Sequence, residues 1–457
     1  MSSGGPGVRP RWSLRSLRSG EALRLIVAVA LAAGAVVLGE SLTRGSHRSG
    51  SVPGSGQRTL AGGPGAAGSR SPGTAGSSAQ AGHVTVAGGP AVERSLRRGE
   101  MIVVVDQPPS GLFAEQNRSI AQGAEVAVDE LNASGGLARH IRIKLVRQSL
   151  DGLSATAVQT RLRSEAAAVL VLPCDTDSQL SLAAGASQYG MLMFAPCNPD
   201  AKAGGRYATY WPVGMAATDE AAGLTSYLTT AGYTRVFVVS SPGSRYVELV
   251  TDDFRSAAQA SRIQVVGSAS IATTTRDFSG LAHAIEAVQP KPSAIFTALP
   301  PPLLNRLAAG LMAQGVDQIV LGSAATDTPL TLSSGSKALE DAIFASYGFS
   351  RLTASAHRFA AEYSRRFGHA PVGSFPGLGL ETIRLLEDAV RKAGSAEPGA
   401  IQRALTSGIT LRGVGLADRA YERGGDHNPI GEVAISKIAS GSFLELRAFT
   451  PSGAPTP

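Results

Sequence analysis

At 457 residues the chain is too long for one hydrophobic core and predicts two or three units. Its +7 net charge, from 42 basic and 35 acidic residues, is unevenly spread: residues 1–99 hold twelve arginines and three acids, +9, leaving 30 basic and 32 acidic residues, −2, for the rest. A nearly neutral body argues against a nucleic-acid partner.

The basic excess belongs to a leader. Arg9, Arg11, Arg15, Arg18 and Arg24 precede an uncharged apolar run, Leu25 to Gly39, which is the order of an export signal. The run is as long as the longest signal cores and shorter than the roughly 20 residues of a spanning helix. No A-x-A site follows cleanly before Glu40 and Ser41, and no cysteine stands near its end for lipid attachment. A cleaved signal, giving a secreted protein, and an uncleaved membrane anchor both stay open; either way the remainder is exported and extracytoplasmic, the basic side staying inside. Residues 1–42 are assigned to this segment. Residues 43–99, rich in Gly, Ser, Ala and Pro, cannot bury enough surface to order themselves and are assigned to a disordered, flexible tether.

From Glu100 the pattern changes. Met101 to Val105 is a continuous apolar run suited to a strand buried on both faces. A loop with two prolines, Ser110 and Gly111 follows, then a helical pattern, Phe113 to Leu131, that stops at Asn132, Gly135 and Gly136. Further strands are predicted at Ile141–Val146, Ala168–Leu172, Met191–Phe194, Arg235–Val239, Gln264–Ser268, Ala294–Thr297 and Gln318–Leu321. Helices are predicted at Ser154–Ser164, Asp177–Gln188, Ala217–Thr230, Tyr246–Ala260, Phe278–Val288 and Leu303–Gln314. Such alternation predicts an α/β fold with parallel sheets covered on both faces. YWPVGMA, Tyr210 to Ala216, interrupts the pattern and divides it into two sets. Helices follow at Thr353–Phe367, Ser374–Ala393 and Pro398–Ser407, and Gly413–Phe449 reads as short strands and turns. In an open α/β sheet the ligand crevice lies outside the carboxyl ends of the strands, where the Ser110–Gly111 loop falls.

The succession VVVDQPPSG, GAEVAVDELNASGG, VLVLPCDTDS, MLMFAPCNPD, SRYVELVTDDFRSA and GLGLETIRLLEDAVRKAGS resembles the branched-chain amino-acid binding family of type I periplasmic binding proteins, over residues 100–447. The resemblance implies two Rossmann-like lobes joined by three crossing segments, near 210–216, 346–350 and 413–418, with a ligand between them. Lobe I would comprise 100–214 and 348–413, lobe II 215–347 and 414–450, and 451–457 a disordered tail. It also implies a solute-binding protein that hands a small polar ligand, an amino acid or related compound, to an ABC permease. A membrane-tethered sensing domain with a signalling partner is the alternative.

Candidate ligand-binding residues follow from position. Ser110 and Gly111 lie in the first strand-to-helix loop; ordinary turn chemistry is the competing reading. Asp175 and Thr176 follow the third strand and Asn198 the fourth, where the family binds the ligand carboxylate at helix N-termini. Either Asp175 or Asp177 is also expected to cap its helix. An amino-acid binder usually carries Ser or Thr at Asp175 and Asn198, and a carboxylate there would repel a ligand carboxylate. Ser323, Ala324 and Ala325 stand where the family has an acid for the ammonium, leaving Asp327 three residues further on. Leu299 and the prolines after it replace an expected aromatic; Tyr246 retains one. Glu381 is a further cleft candidate, and Gly377 and Gly379 read as helix packing.

Cys174 and Cys197 follow strands predicted to be neighbours. Strands lie roughly 4.8 Å apart, within disulfide reach, and an exported chain permits the bond; two free buried thiols are the alternative. The seven histidines form no metal pattern, and no G-x-S-x-G or P-loop motif occurs. No enzyme, metal or cofactor is therefore expected.

Overall fold

The computed structural model describes residues 89–138, 140–333, 336–348, 353–414 and 418–456, all within one compact unit, residues 79–457. The export segment and the tether up to residue 88 lie outside the described residues. Among the described residues no helix is long and apolar enough to cross a membrane.

Order begins earlier than Glu100. Helix α1 (Pro90–Arg97) has proline in its first turn, where a missing N–H costs nothing, and buries Val92 and Leu96, one turn apart. Both join the apolar cluster that holds Met101 of strand β1 (Glu100–Asp106). The tether reading of 43–99 is therefore corrected at its end: two apolar residues suffice once a strand covers them.

Along β1, Met101, Val103 and Val105 enter one cluster and Ile102 and Val104 another, as the period of a strand requires. Both faces must then be covered, and the chain alternates accordingly through α2 (Ala114–Ala133), β2 (Arg142–Gln148), α3 (Ala155–Ser164), β3 (Ala167–Val171), α4 (Thr176–Ser187), β4 (Leu192–Ala195), α5 (Ala203–Arg206) and β5 (Tyr210–Pro212). The five strands are parallel in the order β2-β1-β3-β4-β5. The YWP stretch, expected to break the pattern, forms the edge strand of this sheet. Tyr210 and Trp211 are buried in opposite clusters, so alternation persists to the sheet's last strand.

The second lobe continues with α6 (Ala217–Ala231), β6 (Arg235–Ser240), α7 (Arg245–Ala260), β7 (Gln264–Ser270), α8 (Ser279–Ala287), β8 (Ala294–Thr297), α9 (Leu303–Ala313), β9 (Ile319–Gly322) and β10 (Ile343–Ser346). Helices α10 (Ala354–Phe367), α11 (Phe375–Ala393) and α12 (Pro398–Thr406) return to the first lobe. Phe359, Tyr363, Leu380, Leu386, Ile401 and Leu405 share the cluster of Val103. Helix α11 lies directly on α2. A Cβ on Gly379 would stand 2.0 Å from the Ile120 carbonyl oxygen, and one on Gly123 1.8 Å from that of Pro376, so both positions require glycine.

Strands β11 (Ile409–Leu411) and β12 (Arg419–Tyr421) pair with each other, and the Tyr421 hydroxyl donates to the Pro212 carbonyl at 2.6 Å. Leu411, Val414 and Tyr421 are buried in the first-lobe cluster. Of the four strands after α12, β13 (Val433–Ala439) and β14 (Ser442–Phe449) join the second sheet, ordered β14-β13-β10-β9-β8-β6-β7. The third passage therefore lies between Tyr421 and Val433, not at 413–418. β13 runs antiparallel to both β10 and β14, so this sheet is mixed rather than parallel. Residues 451–456 turn back, with the Thr456 N–H donating to the Ala448 carbonyl at 3.0 Å, and their described part is ordered, not a free tail.

Candidate functional site

The carboxyl ends of the two sheets face each other. Phe113, just before α2, is buried and meets the ring of Tyr246, in the first turn of α7, edge-on with centroids 4.9 Å apart. The Tyr246 hydroxyl shares a 3.0 Å hydrogen bond with Ser323 at the end of β9. Gln116 of α2 donates through Nε2 to the Ala325 carbonyl at 3.4 Å. Tyr347, just beyond β10, packs against Phe375 of α11 at 5.9 Å. One apolar cluster thus includes Phe113, Cys174, Cys197 and Phe375 of the first lobe with Tyr246, Ala325 and Tyr347 of the second.

Beneath the tyrosines lies Glu220, in the first turn of α6 and 5 % exposed. Its Oε2 accepts from the Ala324 N–H at 3.2 Å and its Oε1 from the Tyr347 hydroxyl at 3.3 Å. Burial pushes its carboxyl up to about 7, against the pull of those two hydrogen bonds.

The first-lobe wall is built on a disulfide. Cys174 and Cys197, after β3 and β4, are bonded with Cα atoms 5.1 Å apart, in accord with the strand-neighbour reading. Asn117 Oδ1 accepts from the Cys174 N–H at 2.8 Å, and Gln179 Nε2 donates to the carbonyls of Pro173 and Cys197, both at 2.9 Å. Tyr210 in turn donates to Gln179 Oε1 at 3.2 Å. Both loops are therefore held from below by α2, α4 and β5.

The structure distributes the sequence-derived candidates over several places. Tyr246 stands in the interlobe face. Thr176 and Asn198 are buried on the disulfide wall, whereas Asp175, half-buried, caps α4 by accepting from the Ser178 N–H at 3.0 Å. Asn198 donates to Asn428 Oδ1 at 2.9 Å, which ties the wall to the third passage. Ser110 and Gly111 are exposed at the rim, Gly111 with φ +104°, while Phe113 makes the contact across. Asp327 is buried and accepts from the Ser346 hydroxyl at 2.6 Å, burial raising its carboxyl. It borders a separate cavity of about 520 Å³ between the lobes, lined also by His357, Val372 and Phe443. Glu381 is turned to the β11–β12 hairpin of its own lobe: it forms a buried ion pair with Arg419, and its Oε1 accepts from the Val414 N–H at 2.9 Å.

Glu220, Phe113, Gln116 and Tyr347 were not singled out from sequence. An acid in a first helical turn is ordinary dipole complementarity, so Glu220 carries no distinguishing local signal. A burial signal was available only for Phe113, beside a candidate loop. Among the described residues no cluster of three or more His, Cys, Asp or Glu side chains could hold a metal ion.

The profile of a family described as periplasmic binding protein matches residues 103–442. No curated protein sequence matches the chain. Among solved structures, the leucine-binding protein LivK of Thermotoga maritima superposes with TM-score 0.68 at 17 % identity, over 77 % of this chain and 99 % of that one. LivJ of Streptococcus pneumoniae, a branched-chain amino acid transporter substrate-binding protein in complex with isoleucine, gives 0.66 and 17 %, over 76 % and 100 %. A solute-binding protein of an ABC transporter from R. palustris in complex with benzoate gives 0.66 and 17 %, over 78 % and 96 %. At these identities the likeness is one of fold.

Proposed function

The chain belongs to the periplasmic binding protein family, and on that premise we propose that it is an extracytoplasmic solute-binding protein, without catalytic chemistry, that captures a small polar ligand between its lobes for an ABC transporter. The ligand is an amino acid or a related compound, as in the isoleucine-bound neighbour. The observation that carries this reading is the meeting of the two sheet ends at Phe113 and Tyr246, with Glu220 and the disulfide wall on either side. Ligand crevices lie at such strand ends.

Three chain passages permit the lobes to hinge, and a ligand that binds the closed form better shifts the population toward it. A permease then reads the closed form. The test is a thermal-shift screen of the full chain against amino acids, amides, polyamines and small aromatic acids. A ligand present at about 100 times its Kd stabilises the folded state by about 2.7 kcal/mol. A screen with no compound raising the Tm overturns the proposal.

A further inference from the structure

We infer that the interlobe site selects a small amine with an apolar or aromatic body, its ammonium received by Glu220 and Gln116 among the rings of Phe113, Tyr246 and Tyr347. This rests on the ligand-capture reading above and narrows it to a class.

Glu220 carries the inference. A carboxylate has about four acceptor positions, and the two hydrogen bonds from Ala324 and Tyr347 leave the others unfilled. The charges acting on it are Asp219 and Asp253, both acidic, so its environment favours an incoming cation. A buried carboxyl either stays neutral or pairs with a cation. Of the cations, Arg419 acts on the neighbouring Tyr347 but is engaged by Glu381.

Gln116 supplies an independent observation. It is fully buried, and its Nε2 points at the Ala325 carbonyl, which fixes the orientation of the amide. Its Oε1 has no partner. Glu220 and Gln116 thus bond to consecutive residues of one turn, Ala324 and Ala325, from the two lobes. Across the face, Asn198 Oδ1 is likewise buried without a partner. The amide and carboxyl positions are acceptors, and Thr176 Oγ1, also buried without a partner on the disulfide wall, can either donate or accept. An ammonium brings three donors, whereas a ligand carboxylate would bring further acceptors to them.

The rings set the rest of the ligand. Aromatic faces attract a cation within about 6 Å of the ring centroid. Tyr347 donates to the carboxyl, Tyr246 lies within its field, and Tyr246 meets Phe113 of the first lobe; all three rings are buried, and an apolar body would replace the ring-to-ring contacts made in this arrangement. The rival class is a zwitterion that also reaches Arg419, whose Nε and Nη1 have no partner.

Isothermal titration calorimetry on the full chain separates the classes. The probes are matched sets: phenethylamine and isopentylamine, the zwitterions phenylalanine and leucine, the acids 3-phenylpropionate and 4-methylpentanoate, and the neutral alcohol 2-phenylethanol. The amine in each set should bind at least about tenfold tighter than its acid and zwitterion counterparts, or about 1.4 kcal/mol. Glu220→Gln should weaken the amine by a similar factor and so close most of its advantage over its acid counterpart. If that variant does not fold by circular dichroism, Tyr246→Leu, which keeps the carboxyl and removes a ring, should give the same loss. Tighter binding of a zwitterion or an acid, or an amine affinity unaffected by the variants, overturns the ligand class and leaves solute capture standing. Binding of no probe, combined with a blank thermal-shift screen, overturns both.

Discussion

Replacing Glu381 by alanine should be among the most damaging single changes in the first lobe. Arg419 is 1 % exposed and Glu381 4 %, and their ion pair joins α11 to β12. Removing one partner of a buried pair leaves an uncompensated charge and costs about 3–5 kcal/mol. The Val414 N–H loses its acceptor as well, worth about 1 kcal/mol more. Replacing both partners by apolar residues of similar volume, Glu381→Leu with Arg419→Met, should recover most of the loss, because a buried pair gains little net free energy against its desolvation. Urea unfolding of wild type, both single variants and the double variant, followed by circular dichroism at pH 7, gives the coupling directly. A cost below about 1 kcal/mol for Glu381→Ala, or a double variant as unstable as the two singles summed, would show that the pair does not anchor β12 to α11.

Three further outcomes are expected. Gly379→Ala should cost about 2–3 kcal/mol by pushing α11 off α2, because the added Cβ meets backbone atoms of Ile120 and Ala124 that no rotamer relieves; an unchanged urea midpoint would refute the close approach. Replacing Cys174 and Cys197 together by alanine should cost about 3 kcal/mol, as for a loop closed across a separation of 23 residues, and denatured, unreduced wild type should titrate no thiol. Glu220, at about 7 when folded against 4.5 as its ordinary value, holds a proton in the native state that the unfolded chain has released. Its share of stability is therefore present below about pH 4.5 and is lost as the pH rises to 7, by about 3 kcal/mol. Asp106, raised to about 6 by burial, acts in the same direction. Subtracting the Glu220→Gln stability profile from that of wild type isolates the Glu220 share, and a flat difference between pH 4.5 and 7 would falsify it.

Much of the fold is legible because strands buried on both faces are unbroken apolar runs: Met101–Val105 and Arg235–Val239 are each flanked by helical periods with their own stops. Where the signal is short or shared, legibility fails. β10 has only four residues, Ile343–Ser346, and its strand character rests on partners 22 residues earlier and about 90 later. The site is less legible for the same reason. The Cys174–Cys197 pairing can be reasoned from adjacent strands, and Tyr246 from its place in α7. The pairing of Glu381 with Arg419 joins a helix to a hairpin 38 residues on, with no periodicity to announce it. Glu220 becomes distinctive only when Tyr347, 127 residues later, closes over it.

The hinge constrains how any ligand can act. Gly214, on the first passage, lies so close to the second that a Cβ there would stand 2.8 Å from the Tyr347 ring, and it is equally tight against its own lobe, 2.6 Å from the Pro196 carbonyl oxygen. The third passage is held to the first lobe instead, by Asn428 on Asn198 and on the Ala201 carbonyl, and by His427 stacked on Trp211 at 3.9 Å. Parting the lobes must therefore separate Phe113 from Tyr246 and Tyr347 from Phe375 while leaving Asn428 in place. Each such aromatic pair is worth about 0.5–1.5 kcal/mol beyond its area burial. A ligand that inserts between the rings has to return at least that much to shift the population toward closure, since it can move the equilibrium only by its differential affinity for the two forms. An ammonium paired with Glu220 meets that demand better than an apolar body alone, because it satisfies a carboxyl that burial otherwise holds protonated up to about pH 7.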